Sequence, residues 1–244
     1  VTGAGRGIGR AVAVKLAGQG HRVVLVARSR SELIETGRLC RTETRIHVGD
    51  VTEPGAAEEM FSLVEREWGP VEVFVSSAGR NRSARLADID DEHWQEMLDL
   101  NLTAVFRGGR RAIGPMVSAG WGRIIVISSV AGKSGFKYLG AYAAAKHGVV
   151  GLVRSAALEL APDGVTVNAV CPSFVDTPLT RRTIAAIVDQ AGWDPARATE
   201  HVGSLQPIGR MVTAEEVAEA VWALVVNGAV TGQSVHVDGG LLHA

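Results

Sequence analysis

Apolar positions along this chain switch repeatedly between two spacings. Ile8 to Leu16 carries small and apolar residues three and four apart, the spacing of one helix face, and His21 to Ala27 then holds the unbroken run Val23-Val24-Leu25-Val26 of a strand. The alternation continues with a polar helix near Ser31 to Thr42, a strand at Arg45 to Val48, a helix from Pro54 to Trp68 and a strand at Val71 to Val75. A long helix from about Glu92 to Ser118 precedes a strand at Ile124 to Ser128, and a second long helix, Ala141 to Leu160, precedes a strand at Val165 to Val170. Ala214 to Val226 reads as the last helix and Ser234 to Val237 as the last strand, closed by Asp238-Gly239-Gly240. Strands joined through helices run the same way, so the pattern predicts an α/β fold: a doubly wound parallel sheet of about seven strands with helices on both faces. No linker, repeat or low-complexity tract divides the chain, which predicts a single domain over 1–244. Proline, arginine and tryptophan interrupt the weak helical pattern between Pro172 and Arg210, and a substrate lid is expected at about 176–210.

With 46% hydrophobic residues in 244, there is enough apolar surface for a large core. The 25 basic and 26 acidic residues nearly cancel, so no global field attracts nucleic acid or an anionic membrane, and the expected partner is a small molecule. The two cysteines, Cys40 and Cys171, form no CxxC pair, which points away from a disulfide framework or a zinc site. No stretch approaches the roughly 18–20 apolar residues of a membrane span, and no charged-then-apolar leader opens the chain, so a cytoplasmic protein is expected.

Chemistry enters with Thr2-Gly3-Ala4-Gly5-Arg6-Gly7-Ile8-Gly9, which fits T-G-x-x-x-G-x-G better than G-x-G-x-x-G. Glycines here permit a tight strand-to-helix turn, let backbone approach a pyrophosphate and aim a helix N-terminus at its charge. Gly3, Gly5, Arg6, Gly7 and Ile8 are therefore candidate cofactor contacts on a Rossmann-type fold. The strand expected ahead of the turn is reduced to Val1 and Thr2, so further chain is expected before Val1. At the end of the next strand an acidic residue would bind the ribose of NAD, whereas an arginine accommodates the 2′-phosphate of NADP. Arg28 and Ser29 stand there with no carboxylate among them, which favours NADP(H) and leaves NAD(H) as the alternative. Asp50 and Val51 follow the third strand; Asp50 either accepts the adenine amino group or caps the helix near Pro54.

Tyr142 and Lys146, four apart on a predicted helix, share one face. An ammonium there would draw a phenol of ordinary pKa ~10 towards the neutral range and make it a usable proton carrier. Ser129, just past the fifth strand, is placed to hold a carbonyl oxygen while charge builds on it; read alone, it is equally a turn hydroxyl. Neighbouring strand residues face opposite ways, so Ser128 cannot share that role.

Thr2-Gly3-x-x-x-Gly7-x-Gly9, Asn101 within Leu100-Asn-Leu-Thr, Ser129 and Tyr142-x-x-x-Lys146 together resemble the short-chain dehydrogenase/reductase family over the whole length. The likeness extends to bacterial 3-oxoacyl-thioester reductases and hydroxyacyl-CoA dehydrogenases through Val167-Asn-Ala-Val-Cys-Pro and Pro207-Ile-Gly-Arg210. The resemblance implies a ketoreductase working between nicotinamide and a ketone or secondary alcohol, with a dehydrogenase of secondary or cyclic alcohols as the alternative. A non-catalytic dinucleotide-binding redox sensor is the reading from another class. It further implies that Tyr142 transfers the proton, Ser129 positions the substrate oxygen, Lys146 holds the nicotinamide ribose, and Asn101 orients a relay water. Ala78 and Gly79 would lie against the cofactor, Val175 and Thr177 would hold its carboxamide, and the protein would be a homotetramer. Two departures stand out: Ser76-Ser77 where the family usually has Asn-Asn, and Pro172-Ser173 where it usually has Pro-Gly. Around the pocket, Arg80, Arg82, Arg85, Lys133, Lys137, Arg181 and Arg182 form a basic rim suited to a phosphate-bearing CoA ester, with Phe136, Leu139, Phe174 and Trp193 as an apolar lining.

Overall fold

In the computed structural model, residues 1–242 are described, less the side chains of Gln190 and Ala191. Val12, Ala13, Leu16 and Ala17 lie on one side of helix α1, Gly7–Gly18, and bury it against the sheet and the last helix. The strands are β1 (Val23–Ala27), β2 (Thr44–Val48), β3 (Val73–Ser76), β4 (Gly122–Ile127), β5 (Val165–Pro172) and β6 (Ser234–Val237). All pair in parallel: β1 with β2, then β3, β4, β5 and β6 in succession. Every residue of β4 and β5 is buried, as befits strands covered on both faces.

Six strands stand among the described residues where about seven were expected, and Val1 and Thr2 lie where the remaining one would run. Thr2 bridges Val26 on one side and Ser76 on the other, joining the β1–β2 pair to the β3–β6 sheet. Its N–H donates to the Val75 carbonyl at 3.0 Å, and the next turn follows with Ala4 N–H to the Val26 carbonyl at 3.1 Å. The spatial order is β2-β1-Thr2-β3-β4-β5-β6, so the chain winds outwards one way from Thr2 and then returns to wind the other way. A crevice opens at such a reversal, at the carboxyl ends of the strands.

One core lies between the sheet and α1 with α9, Ala214–Val226; α2, Arg30–Leu39, adds Leu33 to it. The other face is covered by α3, Ala56–Trp68, α5, Ala104–Ala119, and α6, Gly140–Leu160, through residues such as Phe61, Met116 and Val153. The single long helix expected from Glu92 to Ser118 is instead α4, Asp91–Leu98, a π-helical turn at Asp99–Thr103, and α5. Nothing in the apolar period marks the widened turn, because it changes hydrogen-bond partners rather than composition. The lid region is also more regular than expected: α7, Pro178–Ala191, and α8, Pro195–Ser204, pack on each other through Ile184, Ala198 and Val202.

Candidate active site

A cleft of about 840 Å³ lies over the carboxyl ends of the strands at the reversal point. Every residue assigned to the cofactor or to catalysis from the sequence lines it, except Asn101. Its floor is the glycine turn, where Gly3 has φ +67° and a Cβ would stand 2.9 Å from the Ala78 backbone. Gly9 lets α1 press onto that turn, since a Cβ there would meet the Gly3 carbonyl oxygen at 2.2 Å. Thr2 Oγ1 braces the opposite wall by accepting the N–H groups of Ser77 at 3.0 Å and Ala78 at 3.2 Å.

Two helix N-termini open into this cleft. Neither α1 nor α7 has a side chain capping its first turn, and Thr177, which precedes α7, lies against Gly7, with 3.3 Å between its Cγ2 and a Cβ built there. Uncapped N–H groups aimed into one cleft are suited to a pyrophosphate, so the residues present fit a dinucleotide.

At the adenosine end Ser29 caps α2, its Oγ accepting the Glu32 N–H at 3.4 Å. Arg28 reaches Asp50 at 3.4 Å. Burial pushes the Asp50 carboxyl up, but the N–H and hydroxyl of Thr52 together with the Arg28 guanidinium hold it below its ordinary value. Asp50 does not cap the next helix: Gly55 occupies that position, and Asp50 instead closes its own turn onto Thr52. Glu32 went unremarked in the sequence, yet it lines the cleft and pairs with Arg6 at 3.0 Å. The spacing Ser29-x-x-Glu32 of a capping box was the available signal, and it would have sent the carboxylate to its own helix.

Tyr142 and Lys146 lie one turn apart near the start of α6, 9% and 3% exposed. The Lys146 ammonium donates to the Ile127 carbonyl at 2.9 Å and sits 5.7 Å from the centre of the Tyr142 ring. Burial pushes the Tyr142 phenol up to about 12, with the Ser129 hydroxyl pulling the other way. Burial likewise pushes Lys146 down to about 8. In place of the expected pull of the ammonium on the phenol, desolvation of the two buried groups dominates here and disfavours both charged forms. Both serines line the cleft, but Ser128 Oγ donates to the Lys146 carbonyl at 3.2 Å and so braces α6, whereas Ser129 Oγ accepts the Ala131 N–H at 3.1 Å.

Asn101 is fully buried in the π-helical turn, a local geometry that often marks functional positions. Its Nδ2 donates to the Met97 and Arg80 carbonyls, both at 3.0 Å, and its Oδ1 has no partner. A Cβ on Gly79 would lie 3.0 Å from that oxygen and 3.6 Å from Lys146 Nζ, so the orphaned acceptor and the buried ammonium flank one glycine.

Residues 3–242 match the family model described as Enoyl-(Acyl carrier protein) reductase. The chain belongs to the short-chain dehydrogenase/reductase family. It is 39% identical to a putative ketoacyl reductase of Streptomyces coelicolor, over 99% of this chain and 95% of that one. It is 36% identical to the 3-oxoacyl-(acyl-carrier-protein) reductase of Escherichia coli, again over 99% and 95%. A solved structure of an actinorhodin polyketide ketoreductase with NADPH superposes with a TM-score of 0.95 at 38% identity, covering 99% of this chain and 95% of the other. As a short-chain dehydrogenase/reductase the protein is an oxidoreductase.

Of its departures from the family pattern, Ser173 has a local partner: its hydroxyl donates to the side-chain amide oxygen of the fully buried Gln206, whose Nε2 donates to the Phe174 carbonyl at 3.1 Å. The basic rim is weaker than its composition implied, because Arg80 and Arg82 both pair with Glu96 and Arg181 pairs with Asp176 at 3.1 Å. The expected apolar lining is partly spent on packing: Phe174 and Trp193 belong to the α7–α8 cluster, and Phe136 and Leu139 lie against the Met97 and Tyr142 cluster.

Proposed function

We propose that this protein is an NADPH-dependent ketoreductase that reduces a 3-oxoacyl thioester or a related ketone to the secondary alcohol. The observation that carries this reading is the meeting of Ser129, Tyr142 and Lys146 in one cleft with two uncapped helix N-termini. When bound, the reduced nicotinamide supplies the hydride. The Gly3–Ile8 turn and Thr177 would hold the pyrophosphate and carboxamide, Ala78 and Gly79 would lie along the ribose, Asp50 and Val51 would take the adenine, and Arg28 with Arg6 would take the 2′-phosphate. The Ser129 hydroxyl donates to the substrate oxygen as it gains charge, and Tyr142 gives that oxygen its proton. Burial keeps the phenol in its protonated form, with the proton in place for that donor role. Lys146 and the Asn101 oxygen, facing each other across Gly79, would refill the proton through a water.

The ketoacyl and 3-oxoacyl reductases it resembles support a thioester substrate, and a CoA ester and a carrier-bound thioester share the reacting ketone. The basic rim suited to coenzyme A is weakened by the pairs of Arg80 and Arg82 with Glu96 and of Arg181 with Asp176. Among the described residues no helix is long and apolar enough to cross a membrane. Two unpaired cysteines are in keeping with work in the cytoplasm. Exposed Trp94 on α4, Phe106 on α5 and Leu158 on α6 support a homotetramer built through these long helices.

Loss of reduced-nicotinamide absorbance with NADPH and acetoacetyl-CoA tests the reading. Turnover with the thioester, and a fall of about 100-fold or more in Tyr142→Phe with cofactor binding retained, is the expected result. Binding without turnover of any ketone would overturn it in favour of a redox sensor.

A further inference from the structure

Glu32 does something unusual for its position. In α9 the box Thr213-x-x-Glu216 closes fully, with the glutamate carboxylate returning to the Thr213 N–H at 2.8 Å. At α2 the same spacing, Ser29-x-x-Glu32, makes only the serine half, and the carboxylate turns away to Arg6, twenty-six residues earlier. There it lies over the glycine turn. A Cβ on Gly5 would meet Glu32 Oε2 at 2.9 Å and Glu32 Cβ at 3.0 Å, so the room that Gly5 leaves is taken by this side chain. The ion pair is partly enclosed, with the Glu32 side chain 30% exposed, and both partners line the cleft beside Arg28 and Ser29.

A negative group in this place bears on which dinucleotide the cleft accepts. The strand end carries no carboxylate of its own, yet the fold brings one in from the first turn of α2. A 2′-phosphate arriving at Arg28 and Ser29 would meet one carboxylate charge nearby and find the second guanidinium already engaged. A 2′-hydroxyl would meet neither obstacle and could donate to the carboxylate.

We propose that Glu32 is a specificity-determining residue for the cofactor: its ion pair with Arg6 sets a penalty on the 2′-phosphate that must be overcome before Arg6 can serve it. The inference rests on the NADPH reading above for which cofactor is favoured overall, but concerns only the ratio between the two. Arg28 contributes less to this gate, since its contact with Asp50 is longer and its side chain is 69% exposed.

The test is equilibrium binding of NADPH and of NADH, followed by calorimetry, to the purified wild-type protein and to Glu32→Gln. Glutamine serves in the same capping spacing and is nearly the same size, so α2 keeps its start. Removing one like charge within a few ångströms of a phosphate, and freeing Arg6, is expected to tighten NADPH on the order of tenfold while NADH changes less than about threefold. The salt dependence of NADPH binding steepens in the variant, because an extra guanidinium now faces phosphate. Glu32→Ala gives the same direction by a different removal and guards against a local effect of the amide. An unchanged NADPH-to-NADH ratio in both variants, or equal shifts for both cofactors, overturns the inference. The two readings separate cleanly: wild-type protein that binds only NADH, with NADPH binding gained in Glu32→Gln, defeats the NADPH reading and sustains the role of Glu32. Tight wild-type NADPH binding with an unaltered ratio does the reverse.

Discussion

Lys146 is a buried ammonium with a single carbonyl, that of Ile127, as its hydrogen-bond partner. With its pKa pushed from 10.5 to about 8, the folded state releases the proton before the unfolded state does. Folding stability from this group is therefore present above pH 10.5 and is lost as pH falls towards 8, so at neutral pH the fold carries a cost of about 3 kcal/mol. Tyr142 acts in the opposite sense: raised from 10 to about 12, its contribution is present below pH 10 and fades as pH climbs to 12. Lys146→Met should consequently be inactive yet more stable by about 1–2 kcal/mol at pH 7, after allowing for the stranded Ile127 carbonyl. Urea unfolding at pH 7 and pH 9.5 checks this, and the advantage should shrink at the higher pH. The pair itself was legible in the sequence because residues four apart share a helix face, whatever the rest of the fold does. Glu32 was not, because its partner Arg6 comes near only when α2 docks on the glycine turn, which Thr36 fastens by donating to the Ala4 carbonyl at 2.9 Å.

At the level of elements, α1 owes its place to Gly9. Alanine there would drive a methyl to 2.2 Å from the Gly3 carbonyl oxygen, so Gly9→Ala should destabilise by about 3 kcal/mol or more and weaken dinucleotide binding. Gly18→Ala, at the far end of the same helix with nothing within 4 Å, should instead stabilise by roughly 0.5–1 kcal/mol. Chemical denaturation of both variants measures the contrast. The element most easily read was β4, whose run Ile124-Ile125-Val126-Ile127 has little competing pattern; β5 is as deeply buried, but Thr166 and Asn168 interrupt its apolar residues. The π-helical turn was unreadable because the apolar period runs through it undisturbed. Helices α7 and α8 had local signals that the weak periodicity obscured: proline opens each, and the left-handed Gly192 ends the first.

For the whole molecule, the parallel sheet and its two apolar faces followed from the alternation of helix and strand spacing, but the dependence on Thr2 did not. Thr2, with two bridges and a hydroxyl that accepts two N–H groups, joins the halves of the sheet beside the cleft together with Val1, whose carbonyl accepts the Val26 N–H at 3.0 Å. Thr2→Val should leave two N–H donors without their acceptor and cost about 1–3 kcal/mol, seen as a lowered melting temperature with weaker dinucleotide binding. Oligomeric state is written on the surface rather than in the core. Leu158 is 84% exposed on α6, and on the proposed homotetramer Leu158→Glu should lower the mass measured by light scattering relative to the unaltered protein while leaving the melting of a single chain unaffected.

The packing of α1 on α9 has a consequence for the life of the chain before it is an enzyme. Lys15 meets Glu219 across 204 residues, and the core beneath the cofactor turn is shared between Leu16 and Val217 with Val221. At the usual pace of a ribosome, about 5–20 residues per second, roughly 10–40 s separate the emergence of the first helix from that of its partner. Through that interval the apolar side of α1 has no permanent cover, so a nascent chain stalled before Ala214 should be cut readily by protease and held by chaperones, whereas a released one should not.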